Sequence, residues 1–153
     1  MTEQEKTFYK YISRILSEDD RIPYEWKKDK KEIVFKKLDE EGFDIALNCE
    51  DDNYLYLSTN LGYYDFYYYE SLEQISDILP ETMGLVRDLL SPNMRIVEKL
   101  SNSKPYKWLL QCKKDNDWIT ERVSGLVFYN YLGKRIEKIY SNNTLPPRDN
   151  MYE

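Results

Sequence analysis

Histidine is absent from the 153-residue sequence. That one absence excludes a Ser–His or Cys–His nucleophile, a histidine general base and a histidine zinc ligand. Only two cysteines occur, Cys49 and Cys112, and neither has a Cys-x-x-Cys companion. A disulfide framework and a structural zinc site are therefore not expected, and the pair reads as two buried thiols in a reducing compartment. No run of about 20 apolar residues is present to span a bilayer. The opening MTEQEKTFYKY lacks the basic-then-apolar pattern of a signal peptide, so a cytoplasmic protein without membrane attachment is expected. Glycine is scarce too. Gly62, Gly125 and Gly133 stand singly as turn residues, with no phosphate-cradling loop among them.

Basic charge is missing from one whole third of the chain. From Leu38 to Val86 there is no Lys or Arg, while twelve acids occur: Asp39, Glu40, Glu41, Asp44, Glu50, Asp51, Asp52, Asp65, Glu70, Glu73, Asp77 and Glu81. The net charge is −6, so the remainder carries +6, concentrated in KKDKKEIVFKK (Lys27 to Lys37) and the C-terminal half. Segregation of this kind creates a field that steers a basic partner, or else serves solubility alone. Nucleic acid does not suit the acidic stretch, since phosphate binding needs basic charge.

What the chain has in abundance is tyrosine, 15 residues beside 3 Trp and 5 Phe. Tyrosine supplies apolar area while keeping a hydroxyl for water or a partner. Together with the length, that volume is enough for one folded domain without metal or disulfide.

Thr2 and Glu5 form a capping box, and Phe8, Ile12, Ile15 and Leu16 follow at helical spacing. IPYEWKKDK (Ile22 to Lys30) reads as a connector, partly extended. EIVFKKL and FDIALNC flank the turn DEEG, and YLYLS (Tyr54 to Ser58) and YYDFYYY (Tyr63 to Tyr69) follow as further strands. Ser71 and Gln74 make a second capping box. Leu72, Ile75, Leu79, Met83, Val86 and Leu90 then share one helical face, with Pro80 predicting a kink or a restart. MRIVEKL, KPYKWLLQCK, DWITERV, LVFYNYL and KRIEKIY read as strands separated by the turns SNS, KDN, SG and G. The expectation is a single α+β domain over residues 1–145, mostly antiparallel sheet with an N-terminal and a central helix, followed by a polar tail, 146–153.

Strand alternation then assigns faces. Leu55 and Leu57 want the core, which sends Tyr54 and Tyr56 outward. In the next strand Phe66 wants the core and Asp65 wants water, so Tyr63, Asp65, Tyr67 and Tyr69 are expected to point out. With Asp44 on the neighbouring strand and Glu50, Asp51 and Asp52 in the intervening turn, these residues define a candidate partner-binding face. Phenols give stacking area at low entropy cost, and carboxylates pair with Lys and Arg. The alternative is that a helix lies across this face and the phenols are its packing partners.

Catalytic signals are sparse. QCK and EIVFK share letters with short metal-nuclease signatures but lack the required acid, and EDDN (Glu50 to Asn53) lacks the ligand spacing of a calcium loop. The chain is read as a non-enzyme with neither metal nor cofactor. A carboxylate-dependent enzyme is an alternative.

As a class, the small, acidic, histidine-free chain with its tyrosine–acid stretch from Tyr54 to Glu70 resembles the immunity proteins of bacterial toxin–immunity systems. The resemblance implies a stoichiometric inhibitor that covers an essential surface of one cognate basic toxin, often a nuclease. The order of helix, strands, helix and strands from Thr2 through Cys112, with LVRDLLSPN at the second helix, is also similar to type III secretion chaperones. That resemblance implies a cytoplasmic homodimer holding an extended client. The predicted strands at the C-terminal end depart from the chaperone pattern, which calls for a helix there.

Overall fold

The computed structural model describes residues 1–49, 53–62, 64–125 and 132–147, with the side chains of Tyr64 and Phe66 outside that description. Among these residues two α-helices and nine strands follow in chain order. Helix α1 (Glu3–Ser17) precedes strands β1 (Tyr24–Lys27), β2 (Glu32–Phe35), β3 (Ile45–Asn48), β4 (Tyr54–Thr59) and β5 (Tyr64–Tyr68). Helix α2 (Leu72–Leu89) leads into β6 (Met94–Ser101), β7 (Lys104–Lys114), β8 (Asp117–Gly125) and β9 (Arg135–Tyr140). The fold is α+β, with two antiparallel sheets ordered β1-β2-β3-β4-β5 and β8-β7-β6-β9.

Local chemistry accounts for most boundaries. Thr2 caps α1 through the expected box, its hydroxyl accepting from the Glu5 N–H while the Glu5 carboxylate accepts from the Thr2 N–H at 2.7 Å. Ser71 caps α2, but the Gln74 side chain reaches back to the Glu70 N–H. Pro80 neither breaks nor restarts α2. It lies on the exposed side of the helix, while Ile75, Leu79, Met83 and Val86 hold the buried side. The hairpins β6–β7 and β7–β8 close with two-residue turns, Asn102–Ser103 and Asp115–Asn116. All four residues have positive φ, the twist that matches antiparallel strands. The predicted strand LVFYNYL falls almost wholly outside the described residues.

The connector contains a strand that the sequence reading did not separate. Tyr24–Lys27 pairs with Glu32–Phe35 across a left-handed turn at Lys28, Asp29 and Lys30, with φ of 50°, 54° and 70°. Three successive non-glycine residues in this region are costly. Side-chain bonds on either side of the turn hold it. Lys28 pairs with Glu32 at 3.3 Å, Lys31 with buried Glu5 at 3.3 Å, and the Lys30 ammonium sits 4.8 Å from the Tyr9 ring.

One core joins the helices to both sheets. Phe8, Ile12 and Leu16 of α1 and Ile75, Leu79, Met83 and Val86 of α2 meet Ile33, Phe35, Ile45, Leu47, Leu55 and Leu57 of the first sheet. Met94, Ile96, Leu110 and Cys112 of the second sheet belong to the same cluster, as does Leu145 beyond β9. Trp26 packs edge-on against Phe8, with ring centres 6.0 Å apart.

Asn142 fastens three parts of the chain. Its buried side-chain amide accepts from the Phe43 N–H at 3.0 Å and donates to the carbonyls of Phe43 and Leu89, each at 3.1 Å. The start of β3, the end of α2 and the segment after β9 are thus held by one side chain. Gly42 must stay small for this, because a Cβ there would lie 2.5 Å from the Asn142 oxygen.

Asn142→Ala removes all three bonds and leaves buried backbone groups unpaired, so a loss of about 3–5 kcal/mol in urea unfolding is expected. A midpoint unchanged from wild type would show that the clasp is dispensable. A pH dependence comes from Asp19, buried at the end of α1. Its carboxylate accepts two bonds from the Arg21 guanidinium, at 2.6 and 2.8 Å, and Arg87 of α2 lies 4.0 Å away. The Arg21 bonds hold its pKa down at about 2, below the unfolded value, so its contribution is complete above about pH 4 and fades as pH falls towards 2. Asp19→Asn should lower stability at pH 7 and flatten the acid limb of the unfolding curve in that window. An acid limb as steep as wild type would contradict the assignment.

Candidate functional site

The first sheet has one buried and one open face. Both helices and the second sheet contribute to the core through residues that pack on the inner side. On the outer side Glu25, Lys36, Asp44, Ala46, Asn48, Tyr54, Tyr56, Ser58 and Tyr68 are half-buried or exposed, and Val34 is the buried exception. Among the described residues no helix crosses this face, unlike the alternative in which the phenols pack beneath one.

The phase of β5 differs from the expectation. Residues paired across an antiparallel ladder share a face, and the register sets Leu55 opposite Tyr67 and Leu57 opposite Asp65. Leu55 and Leu57 are fully buried, so Tyr67 and Asp65 go inward with them. Tyr54 lies opposite Tyr68, which goes outward with it and is 55% exposed. Phe66, taken as the inward residue, holds the register position opposite Tyr56. The correction is physical: the two leucines of β4 set the phase of the pair, and one phenylalanine does not override them.

Three candidate residues therefore leave the open face. Tyr69 is 1% exposed and belongs to the core. Tyr67 is half-buried against it, and its phenol is pushed up to about 12, first by burial and then by the nearby Asp65 and Glu81 charges. Asp65 bonds the Arg122 guanidinium of β8 at 2.7 Å. It is a tie between the sheets, seated beside two others. Ser124 Oγ donates to the Gly62 carbonyl at 2.8 Å, and the Trp108 ring closes over Gly62, where a Cβ would lie 2.6 Å away. Gly62 also has φ +78°, so both backbone and space require glycine there.

Tyr54 and Tyr56 remain outward as expected, their rings stacked 5.9 Å apart. Tyr68 joins them, 5.4 Å from Tyr54. Asp44 shares the face. Its carboxylate accepts from the Lys37 N–H at 2.9 Å and lies 3.9 Å from the Lys36 ammonium, which also reaches Glu25 at 3.5 Å. Glu32 accepts from the Asn48 amide at 2.9 Å. The outer face is thus a tyrosine cluster on β4 and β5 beside a charged border on β1 to β3, and that border carries lysines as well as acids. Glu50, Asp51, Asp52 and Tyr63 lie outside the described residues.

Nothing gathers for acid–base or metal chemistry among the described residues. No group of three or more Cys, Asp or Glu is placed to hold a metal ion. A concavity of about 540 Å³ between the β2–β3 turn and β9 is lined by Lys37, Glu40, Glu41 and Lys138 among others, but both acids are exposed and Glu40 is 3.4 Å from Lys37. No described helix is long and apolar enough to cross a membrane. The chain matches no family model, no curated protein and no solved structure.

The register makes adjacent tyrosines behave differently. Tyr67→Ala removes a ring packed on the core and should cost about 2–4 kcal/mol of stability, whereas Tyr68→Ala should cost under about 1 kcal/mol. Equal losses in thermal or urea unfolding would invalidate the assigned phase.

Proposed function

We propose that the protein is a stoichiometric, non-catalytic inhibitor that binds a basic protein partner, in the manner of an immunity protein neutralising its cognate toxin. The observation that carries the reading is the open face of the first sheet, where Tyr54, Tyr56 and Tyr68 form a contiguous aromatic patch on rigid strands. Rigid phenols are strong anchors in protein interfaces because they bring large contact area with few rotors to freeze. Cation–π contacts favour Arg and Lys from the other side.

The acidic segment supports the choice of partner. Asp39, Glu40 and Glu41 lie in the exposed β2–β3 turn, and Glu70, Glu73, Asp77 and Glu81 are exposed at and along α2. These groups are exposed but are not part of the tyrosine patch. In this reading they accelerate encounter, and the tyrosines govern residence time. Asp44 sits at the border between the two.

The test is reconstitution with the product of an adjacent toxin-type gene. A 1:1 complex that abolishes the partner's activity is expected, with hydrogen exchange protecting Tyr54 to Ser58 and Tyr68. Tyr56→Ala and Tyr68→Ala should each speed dissociation with Tm kept within a few degrees of wild type, by about 1–3 kcal/mol in affinity for a central anchor. Association should slow from low to physiological salt, with less change in dissociation. A homodimer whose helices and last strands are protected by an extended client would replace this reading with the chaperone. Catalytic turnover of a substrate would refute it.

A further inference from the structure

The second sheet also has an open face, and its chemistry differs from that of the first. Its inner side carries Met94, Ile96, Leu110 and Cys112 into the core. On the other side Val123 of β8, Leu109 of β7, Val97 of β6 and Ile139 of β9 lie in direct register, one from each strand. Four aliphatic side chains thus form a straight stripe across the sheet, roughly 14 Å long at the usual strand spacing. Val97 at its centre is buried, yet it is no part of the main core, while Val123 and Ile139 are 54% and 52% exposed. Among the described residues no helix or strand lies over the stripe.

Basic side chains border it. Lys107 pairs in register with Lys99, and Lys99 with Glu137, in the row beside the stripe. Lys99, Lys107 and Arg135 line a concavity of about 460 Å³ together with Tyr106, Val123, Ser124 and Gly125. Glu137, 3.4 Å from Lys99, is the acid in that row. On the opposite border Arg95 donates to Gln111 at 2.8 Å and covers the Trp118 ring at 4.1 Å.

We propose that this face is a second docking site, and that its occupant is an amphipathic helix of a partner protein with an acidic flank. The complementarity is geometric as well as electrostatic. A linear aliphatic stripe matches the i, i+3, i+4, i+7 edge of a helix, and about nine helical residues span 14 Å. Glutamates along one flank of that helix would enter the concavity bounded by Lys99, Lys107 and Arg135. Nucleic acid fits less well, because the centre is aliphatic and Trp118 is already covered by a guanidinium, leaving no platform for bases. A second copy docking through the same face would bring a second Lys99, Lys107 and Arg135, with Glu137 as the acid of that row. The inference does not rest on the tyrosine face, which belongs to the other sheet.

The probe is a synthetic amphipathic helical peptide with leucines at that spacing and glutamates along one flank. Titrated into the full chain labelled with ¹⁵N, it should shift the amides of Val97, Leu109, Val123 and Ile139 saturably. Lys107→Glu and, separately, Val123→Ser should each weaken binding about tenfold or more while leaving the spectrum folded and the Tm within a few degrees. Val123→Ser tests the stripe without touching charge, which keeps the proposal falsifiable if Lys107→Glu disturbs the fold. The proposal is overturned if the peptide does not saturate, or binds elsewhere, or binds equally well with its glutamates replaced by lysines. It is overturned in favour of nucleic acid or lipid if oligothymidylate or phosphatidylserine vesicles bind this face more tightly than the peptide. Self-association abolished by Val123→Ser would overturn it in favour of a second copy.

Discussion

The pairing of Leu55 with Tyr67 and of Leu57 with Asp65 is the constraint on which the arrangement turns. Two leucines on β4 require the inner side of the sheet, and the ladder commits their partners on β5 to the same side. Asp65 is then carried to the seam between the sheets, where the Arg122 guanidinium of β8 meets it. Tyr68 is carried to the outside, where it joins Tyr54 and Tyr56. A single register choice therefore builds the joint between the two halves and the open aromatic patch together.

That joint changes the meaning of the charge segregation. Along the chain, acids crowd into one third and bases into the flanks, as if two separate fields were intended. In the fold the halves share one hydrophobic core, and the Asp65–Arg122 bond crosses between them. The first sheet presents phenols with a mixed border beside acidic turns, and the second presents aliphatics with a basic border. Each open face pairs an apolar or aromatic centre with a charged edge, mixed on the first sheet and mainly basic on the second.

Most of the architecture was legible because local signals agreed. Both helix starts announce themselves through Thr2 and Ser71, and the turns after β6 and β7 through Asn and Asp residues that tolerate positive φ. Strand β1 was obscured because its return turn, Lys28 to Lys30, puts two lysines as well as Asp29 in the left-handed region, which lysine seldom adopts. The continuity of α2 through Pro80 depends on which side faces water, a fact of packing and not of composition. The site was half legible. Tyr54 and Tyr56 follow from the leucines between them, but the phase of YYDFYYY is ambiguous when a strand is aromatic at nearly every position. The pairing with β4 resolves it, and pairing is not a local property. Asp65 could be recognised as structural only once Arg122, 57 positions away, was known to reach it.

The three tryptophans divide the molecule in a way that has a spectroscopic consequence. Trp26 lies between α1 and the edge strand of the first sheet, touching Phe8 and Tyr9. Trp108 closes over Gly62 at the seam, with its indole N–H bonded to Glu98 at 2.9 Å. Trp118 lies on the far side of the second sheet beneath the Arg95 guanidinium. Each indole thus occupies a different layer with different quenching neighbours: rings, a carboxylate and a cation. Intrinsic emission from this chain is a sum of three local reporters, and variants retaining one indole apiece would resolve the undocking of the helix, the parting of the sheets and events at the basic surface as separate optical signals.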